Sequence, residues 1–251
     1  MDFGIEGKVA LVTGGTKGIG LGIAQALARE GGRVSVVART ESDVKRIAGS
    51  IGGFGVAVDA LTQEGCDRAT QETESKLGPI DILINNIGAR AGSTWNDTGA
   101  QEFEKAFDGN VVVSLRFTQR VLPGMVERGW GRVVVISSVW GREWGGAPAY
   151  NAAKAAENSM VKSLAREVAG KGVTVNAVAP GSVMWEGGGW YRRRQADPEG
   201  IAEFVRQEMP MGRFGSVEEV ASVVAFVCSR QASLLTGAVI NVDGGQSRSN
   251  L

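Results

Sequence analysis

The chain has 251 residues, 43% of them hydrophobic and 22% charged, enough apolar mass for one large α/β unit without covalent staples. Lys+Arg and Asp+Glu balance at 27 each, which argues against the basic face that a nucleic-acid partner requires. Histidine is absent, which excludes Ser-His-Asp and Cys-His catalysis, imidazole metal sites and histidine acid-base chemistry.

No run approaches the ~18 apolar residues of a membrane span, and Met1-Asp2-Phe3-Gly4 lacks a basic-then-apolar leader. The expectation is a cytoplasmic protein with no membrane partner. Cys66 and Cys228 are too few for a disulfide framework or a metal site, so both are read as small buried thiols and no metal is expected. The 37 glycines fall at segment ends and read as turns.

Seven short runs predict strands: Lys8-Thr13, Arg33-Ala38, Gly55-Val58, Asp81-Asn85, Arg132-Ser137, Val173-Val178 and Ala238-Val242. Most are apolar at consecutive positions, as strands covered on both faces must be. Helical spacing lies between them, at Ile23, Leu27 and Ala28, at Phe103, Phe107 and Val111, and at Val217, Val220, Ala221, Val224 and Val227. The alternation predicts a Rossmann-type three-layer α/β sandwich, a seven-stranded parallel sheet with helices on both faces. No linker interrupts it, so residues 1–251 are read as one domain. Residues 182–215 break the rhythm: no strand, Gly187-Gly189, Arg192-Arg194, and the aromatics Trp185, Trp190 and Tyr191. A long irregular segment of this kind predicts a mobile substrate lid.

The first strand ends in Thr13-Gly14-Gly15-Thr16-Lys17-Gly18-Ile19-Gly20, which opens a helix. Glycines there bring backbone N–H groups close to a pyrophosphate, and the helix N-terminus supplies partial positive charge. Lys17 opposes the helix dipole, a cost that an anionic ligand would reverse. The second strand ends at Arg39-Thr40, where a dinucleotide fold usually carries a carboxylate for the ribose 2′-OH. Lys17, Arg39 and Thr40 suit a 2′-phosphate instead, so the expected cofactor is NADP(H).

Tyr150-Asn151-Ala152-Ala153-Lys154 opens a segment of good helix formers, Ala152-Arg166, which places Tyr150 and Lys154 one helical turn apart. An ammonium beside a phenol stabilises phenolate and makes the tyrosine a usable acid or base. The strands ending in Ser137-Ser138, Asn86-Ile87-Gly88 and Pro180-Gly181 deliver their last residues to the same carboxyl edge of the sheet, where open α/β sheets bind ligands.

Taken together, Thr13-Gly14-x-x-x-Gly18-x-Gly20, Asp59, Asn85-Asn86-Ile87-Gly88, Asn110, Ser138, Tyr150-x-x-x-Lys154 and Pro180-Gly181 resemble the short-chain dehydrogenase/reductase family over nearly the whole chain. The resemblance implies that Tyr150 is the general acid and that Lys154 tunes it and holds the nicotinamide ribose. Ser138 would bond the substrate oxygen, and Asn110, in a helix Gln101-Arg120, would hold a relay water. For the cofactor it implies Gly14, Thr16, Gly18, Ile19 and Gly20 at the phosphates, Asp59 and Ala60 at the adenine, and Asn86 and Gly88 at its ribose. Pro180, Gly181 and the Val183 backbone would meet the carboxamide. Relatives often carry Thr where this chain has Trp185, which has only a donor N–H. Either Ser182 or a backbone group compensates, or the lid takes another path.

Within the family the chain resembles the 3-oxoacyl-[acyl-carrier-protein] reductases, through its Gly-Ile-Gly and Asn241-Val242-Asp243-Gly244-Gly245. That makes an acyl carrier protein a candidate partner beside a small ketone or alcohol. Trp140, Trp144, Trp185 and Trp190, with Tyr191, are placed near the pocket mouth and also suit a bulky, cyclic, steroid-like or aromatic substrate. A non-catalytic NADP(H)-binding regulator is the alternative of another class. The apolar helix Val217-Ser229 and the edge strand beside it imply, through the family, a homotetramer.

Overall fold

In the computed structural model, which describes residues 2–250, seven strands form one parallel sheet. They are β1 (Val9–Thr13), β2 (Arg33–Ala38), β3 (Phe54–Ala57), β4 (Ile82–Asn85), β5 (Gly131–Ile136), β6 (Val173–Pro180) and β7 (Val239–Val242), in the order β3-β2-β1-β4-β5-β6-β7. Residues of β1, β4, β5 and β6 are buried throughout, which is why their sequences are mainly apolar on both faces, with Arg132, Thr174 and Asn176 among the buried polar exceptions. The order reverses between β1 and β4, and the carboxyl ends there open into the cleft that such a switch point creates.

Helices cover both faces. α1 (Gly18–Arg29), α2 (Glu41–Ser50) and α9 (Val217–Val227) pack one side through Ile23, Leu27, Ile47, Val220 and Val224. α3 (Gln63–Leu77), α5 (Val113–Glu127) and α6 (Pro148–Val168) pack the other through Cys66, Phe117, Val121, Val161 and Ala165. Among the described residues no helix is long and apolar enough to cross a membrane.

Two expectations change. The helix predicted over Gln101-Arg120 is α4 (Ala100–Phe107) and α5 joined by a π-helical turn at Asp108–Val112. The segment read as irregular, 182–215, carries two helices, α7 (Gly189–Ala196) and α8 (Pro198–Glu208). Asp197 separates them and caps α8, its carboxylate accepting from the Gly200 amide at 2.8 Å. Their aromatics form a separate small core: Trp190 stacks on Phe204 at 4.6 Å and meets Phe214 at 5.2 Å. At the base of the segment Val183 bridges Gly215, with Met184 and Gly215 amides bonded across the gap at 3.0 Å each.

Candidate active site

The glycine turn after β1 is shaped by close backbone approaches. Gly14 has φ +64°, and a Cβ there would stand 2.9 Å from the Asn86 amide nitrogen. Asn86 donates to the Thr13 carbonyl at 3.0 Å and the Gly14 carbonyl at 3.3 Å, so it ties the end of β4 to this turn. Thr16 is buried, while Ile19, Gly20, Asn86 and Gly88 line a cleft of about 830 Å³ with Lys17, Arg90, Tyr150, Lys154, Arg192 and Arg193. A glycine cradle at a helix N-terminus, ringed by cations, fits a polyanionic dinucleotide.

Lys17 does not stand uncompensated. Its ammonium meets the Asp43 carboxylate at 2.9 Å, so α2 offsets the helix-dipole penalty without any ligand. Lys17 and Arg46 together hold Asp43 below the usual carboxylate range. Arg39 and Thr40 are exposed beside that turn. Asp59 is exposed at the end of β3, its carboxylate accepting from the Leu61 amide, and Ala60 behind it is buried.

Asn110 owes its position to the π-helical turn. Its side-chain amide donates to Ala106 O at 2.6 Å and Ala89 O at 2.8 Å, which fixes the buried side chain, yet its Oδ1 has no partner. An unpaired buried acceptor facing Gly88 and Lys154 suits a water or ligand donor. Single-turn π-bulges recur at functional sites because they redirect one side chain out of helical register.

α6 begins at Pro148, and Tyr150 projects from its first turn into both this cleft and a neighbouring cavity of about 720 Å³. That cavity is lined by Ser138, Trp140, Tyr150, Pro180, Gly181, Val183, Trp185 and Trp190, among others. Arg90 lies over the Tyr150 ring at 5.0 Å, and the Lys154 ammonium sits 5.6 Å from the same ring centroid. Ser138 Oγ accepts from the Trp140 amide at 3.2 Å, whereas Ser137 Oγ points to the Lys154 carbonyl at 3.4 Å.

Sequence reasoning missed Glu157. It is wholly buried, and both its carboxylate oxygens receive the Lys154 ammonium, at 3.0 and 3.2 Å. Lys154 also donates to the Ile136 carbonyl at 2.9 Å. Burial favours a neutral Lys154, but the charges of Glu157 and Tyr150 outweigh it and raise its pKa; burial likewise raises that of Glu157. The available signal was an acid on the apolar stripe Ala153, Val161, Ala165 and Val168.

The tryptophans divide. Trp140 and Trp190 line the cavity of about 720 Å³, whereas Trp144 is 88% exposed and lies outside the lining, because its turn projects into solvent. Trp185 belongs to both cavities and packs its indole on Gly18, 2.7 Å from where a Cβ would stand. Ser182 lines the same cavity as Trp185 and keeps its hydroxyl proton out of its bonds to Gln246. Its Oγ accepts from Gln246 at 3.0 Å and its amide donates to the same side chain at 2.7 Å. The bridge bonds use the neighbours of Val183, leaving its own amide out of them.

A doubly wound sheet with a tyrosine–lysine pair at its switch-point edge defines an α/β oxidoreductase. The chain belongs to the short-chain dehydrogenase/reductase family: the family profile described as enoyl-(acyl carrier protein) reductase matches residues 14–247. It is 37% identical to the 3-oxoacyl-[acyl-carrier-protein] reductase FabG of Aquifex aeolicus, over 98% of this chain and 99% of that one. It is 39% identical to MabA of Mycobacterium tuberculosis, a 3-oxoacyl-[acyl-carrier-protein] reductase, over 95% and 92%. Among solved structures, the L-sorbose reductase of Gluconobacter frateurii, complexed with NADPH and L-sorbose, is similar with a TM-score of 0.93. It is 31% identical, with 99% of this chain and 100% of that one covered.

Proposed function

We propose that the protein is an NADPH-dependent reductase of ketones to secondary alcohols, reversible as an alcohol dehydrogenase. The observation that carries this reading is the convergence of Ser138 and Tyr150 on one cavity, with Tyr150 and Lys154 also bounding the glycine-turn cleft. The relatives named above reduce 3-oxoacyl groups or a ketose, and the structural neighbour holds NADPH. Lys17, Ile19, Gly20, Asn86, Gly88 and the Val183 amide would hold the cofactor, with Arg39 facing a 2′-phosphate. Bound there, the nicotinamide supplies the hydride.

The chain's own residues do the rest. The Ser138 hydroxyl, its oxygen already accepting from the Trp140 amide, donates a hydrogen bond to the substrate oxygen and orients it. Tyr150 gives that oxygen its proton as the alcohol forms, and the Lys154 ammonium stabilises the phenolate left behind. Asn110 Oδ1 holds the water through which Tyr150 is reprotonated. Trp140 and Trp190 exclude solvent and bury apolar substrate surface.

A 3-oxoacyl thioester is the leading substrate, with exposed Arg192–Arg194 available to an acidic carrier protein. A bulky cyclic or aromatic ketone is the second reading, favoured by the Trp140, Trp190 and Phe204 lining. A homotetramer in the cytoplasm completes the proposal: β7 is an edge strand, and Phe226 on α9 and Leu234 beside it are exposed.

The test is NADPH consumption, with NADH in parallel, over a panel holding an acetoacetyl thioester and cyclic ketones. Turnover is expected with NADPH, and Tyr150→Phe should lower it by about 10²–10⁴-fold. Tight NADPH binding without turnover on any ketone would favour a non-catalytic regulator instead.

A further inference from the structure

A wholly buried carboxylate next to a catalytic lysine is expensive. Burying an ion pair removes both charges from water before their attraction returns any of that cost, and an apolar pair often serves stability equally well. Here the site for an apolar residue is ready-made, since Glu157 lies on the buried side of α6 between Ala153, which packs towards α4, and Val161 and Ala165, which pack into the core under the sheet.

The three ammonium hydrogens of Lys154 are accounted for by Ile136 O and the two Glu157 oxygens. Without the carboxylate, Lys154 would be a buried cation with a single carbonyl partner among its described hydrogen bonds. Burial of that kind drives lysines neutral. No other charge does the work of Glu157. β6 and the 3-10 turn Val139–Gly141 carry no titratable side chain, and on β5 the only one, Arg132, lies at the strand's far start. From α4 and the π-helical turn, Glu104 is exposed, Glu102 engages Lys105 and the Gly99 amide, and Asp108 meets Arg116. Apart from Tyr150 itself, whose charge also favours the ammonium but exists only once the phenol has ionised, the further charge that acts on Lys154 is Arg90, which repels it.

We propose that Glu157 is a positioning residue: its buried carboxylate fixes the Lys154 ammonium and keeps it charged beside Tyr150, so that the phenol releases its proton before the lysine does. Glu157 makes no contact with the reacting atoms and acts only through Lys154. The inference rests on the reading of Tyr150 as the proton donor, but its test does not need turnover.

The chain has two tyrosines, so phenolate absorbance near 295 nm, with Tyr150→Phe as the subtracted reference, isolates Tyr150. Glu157→Gln, which keeps an acceptor and loses the charge, should move the Tyr150 titration to higher pH by about one unit or more. Glu157→Asp should recover much of that shift. In a Lys154→Met background, Glu157→Gln should change nothing. An unmoved or downward titration, or an equal shift without Lys154, overturns the proposal. If Glu157→Gln does not fold, lysine ζ-nitrogen spectra of the wild type decide, with Lys154→Arg for assignment. The Lys154 resonance must remain protonated after exposed lysines have titrated, and earlier loss overturns the proposal. In assays of alcohol oxidation, where Tyr150 must act as the base, the rising limb of kcat against pH should move upward in Glu157→Gln by the same margin as the titration, whereas a merely structural role would lower kcat evenly at every pH. Absence of all ketone reduction would sink the reductase reading while leaving the titration result standing.

Discussion

Ser137 and Ser138 are neighbours at the end of β5, yet their hydroxyls face different tasks. Ser137 Oγ is spent on the Lys154 carbonyl, while Ser138 Oγ accepts a backbone amide and keeps its own proton for a partner in the cavity. Hydrogen-bond direction, rather than proximity, separates a structural serine from one that can polarise a carbonyl. The same logic applies to the thiols. Cys228 is fully buried beside Arg132, and burial pushes its thiol up to about 12; Cys66 is pushed up to about 11. Thiolate is the reactive form, so neither should react at neutral pH in the folded protein. A chromogenic disulfide reagent should therefore find no fast thiol in the native chain and two after denaturation. A rapid native reaction would show that the core around β5 and α9 opens easily.

At the scale of elements, α1 and α9 touch through glycine. A Cβ on Gly22 would run into the Val217 side chain, so Gly22→Ala should destabilise by about 1–3 kcal/mol through overpacking. Val217→Ala in the same chain should return part of that loss, which a double-mutant cycle by denaturant unfolding would measure; simple additivity would refute the contact. The sheet was legible from sequence because buried parallel strands must be mainly apolar on both faces, and the predicted β2 matches the observed Arg33–Ala38. The lid helices were not. α7 reads Gly-Trp-Tyr-Arg-Arg-Arg-Gln-Ala, with no buried residue and no apolar period, so only its docking through Trp190 on Phe204 explains it. The π-helical turn leaves no periodicity signal either, since one added residue per turn cannot be told from helix drift. Glu157 escaped because the Tyr-x-x-x-Lys motif fixes attention on two residues and says nothing of what compensates the second. Lys17 was read as awaiting an anion because its partner, Asp43, comes from the next βα unit.

Across the whole molecule, the ligand and the fold are linked through the β1–β4 switch point. A cofactor that binds only the folded chain stabilises it by about 2.7 kcal/mol at a hundredfold excess over Kd. For a chain of this size that corresponds to roughly 5–10 °C in Tm. NADPH should give a shift of this order, and NADH a smaller one at equal concentration. The difference belongs to the end of β2. Asp43 is already engaged by Lys17 and Arg46, so its negative charge is largely masked, while Arg39 makes no ion pair among the described residues. A 2′-phosphate placed there would meet a free guanidinium, while Glu41, the next carboxylate along the chain, is paired with Lys45 at 2.6 Å. Arg39→Ala should accordingly bring the NADPH shift down to that of NADH and leave the NADH shift unchanged, as thermal unfolding with each dinucleotide would record. Equal shifts in the wild type would mean that Lys17 and Arg39 do not read the phosphate, and that the cations around the cleft serve the pyrophosphate shared by both cofactors.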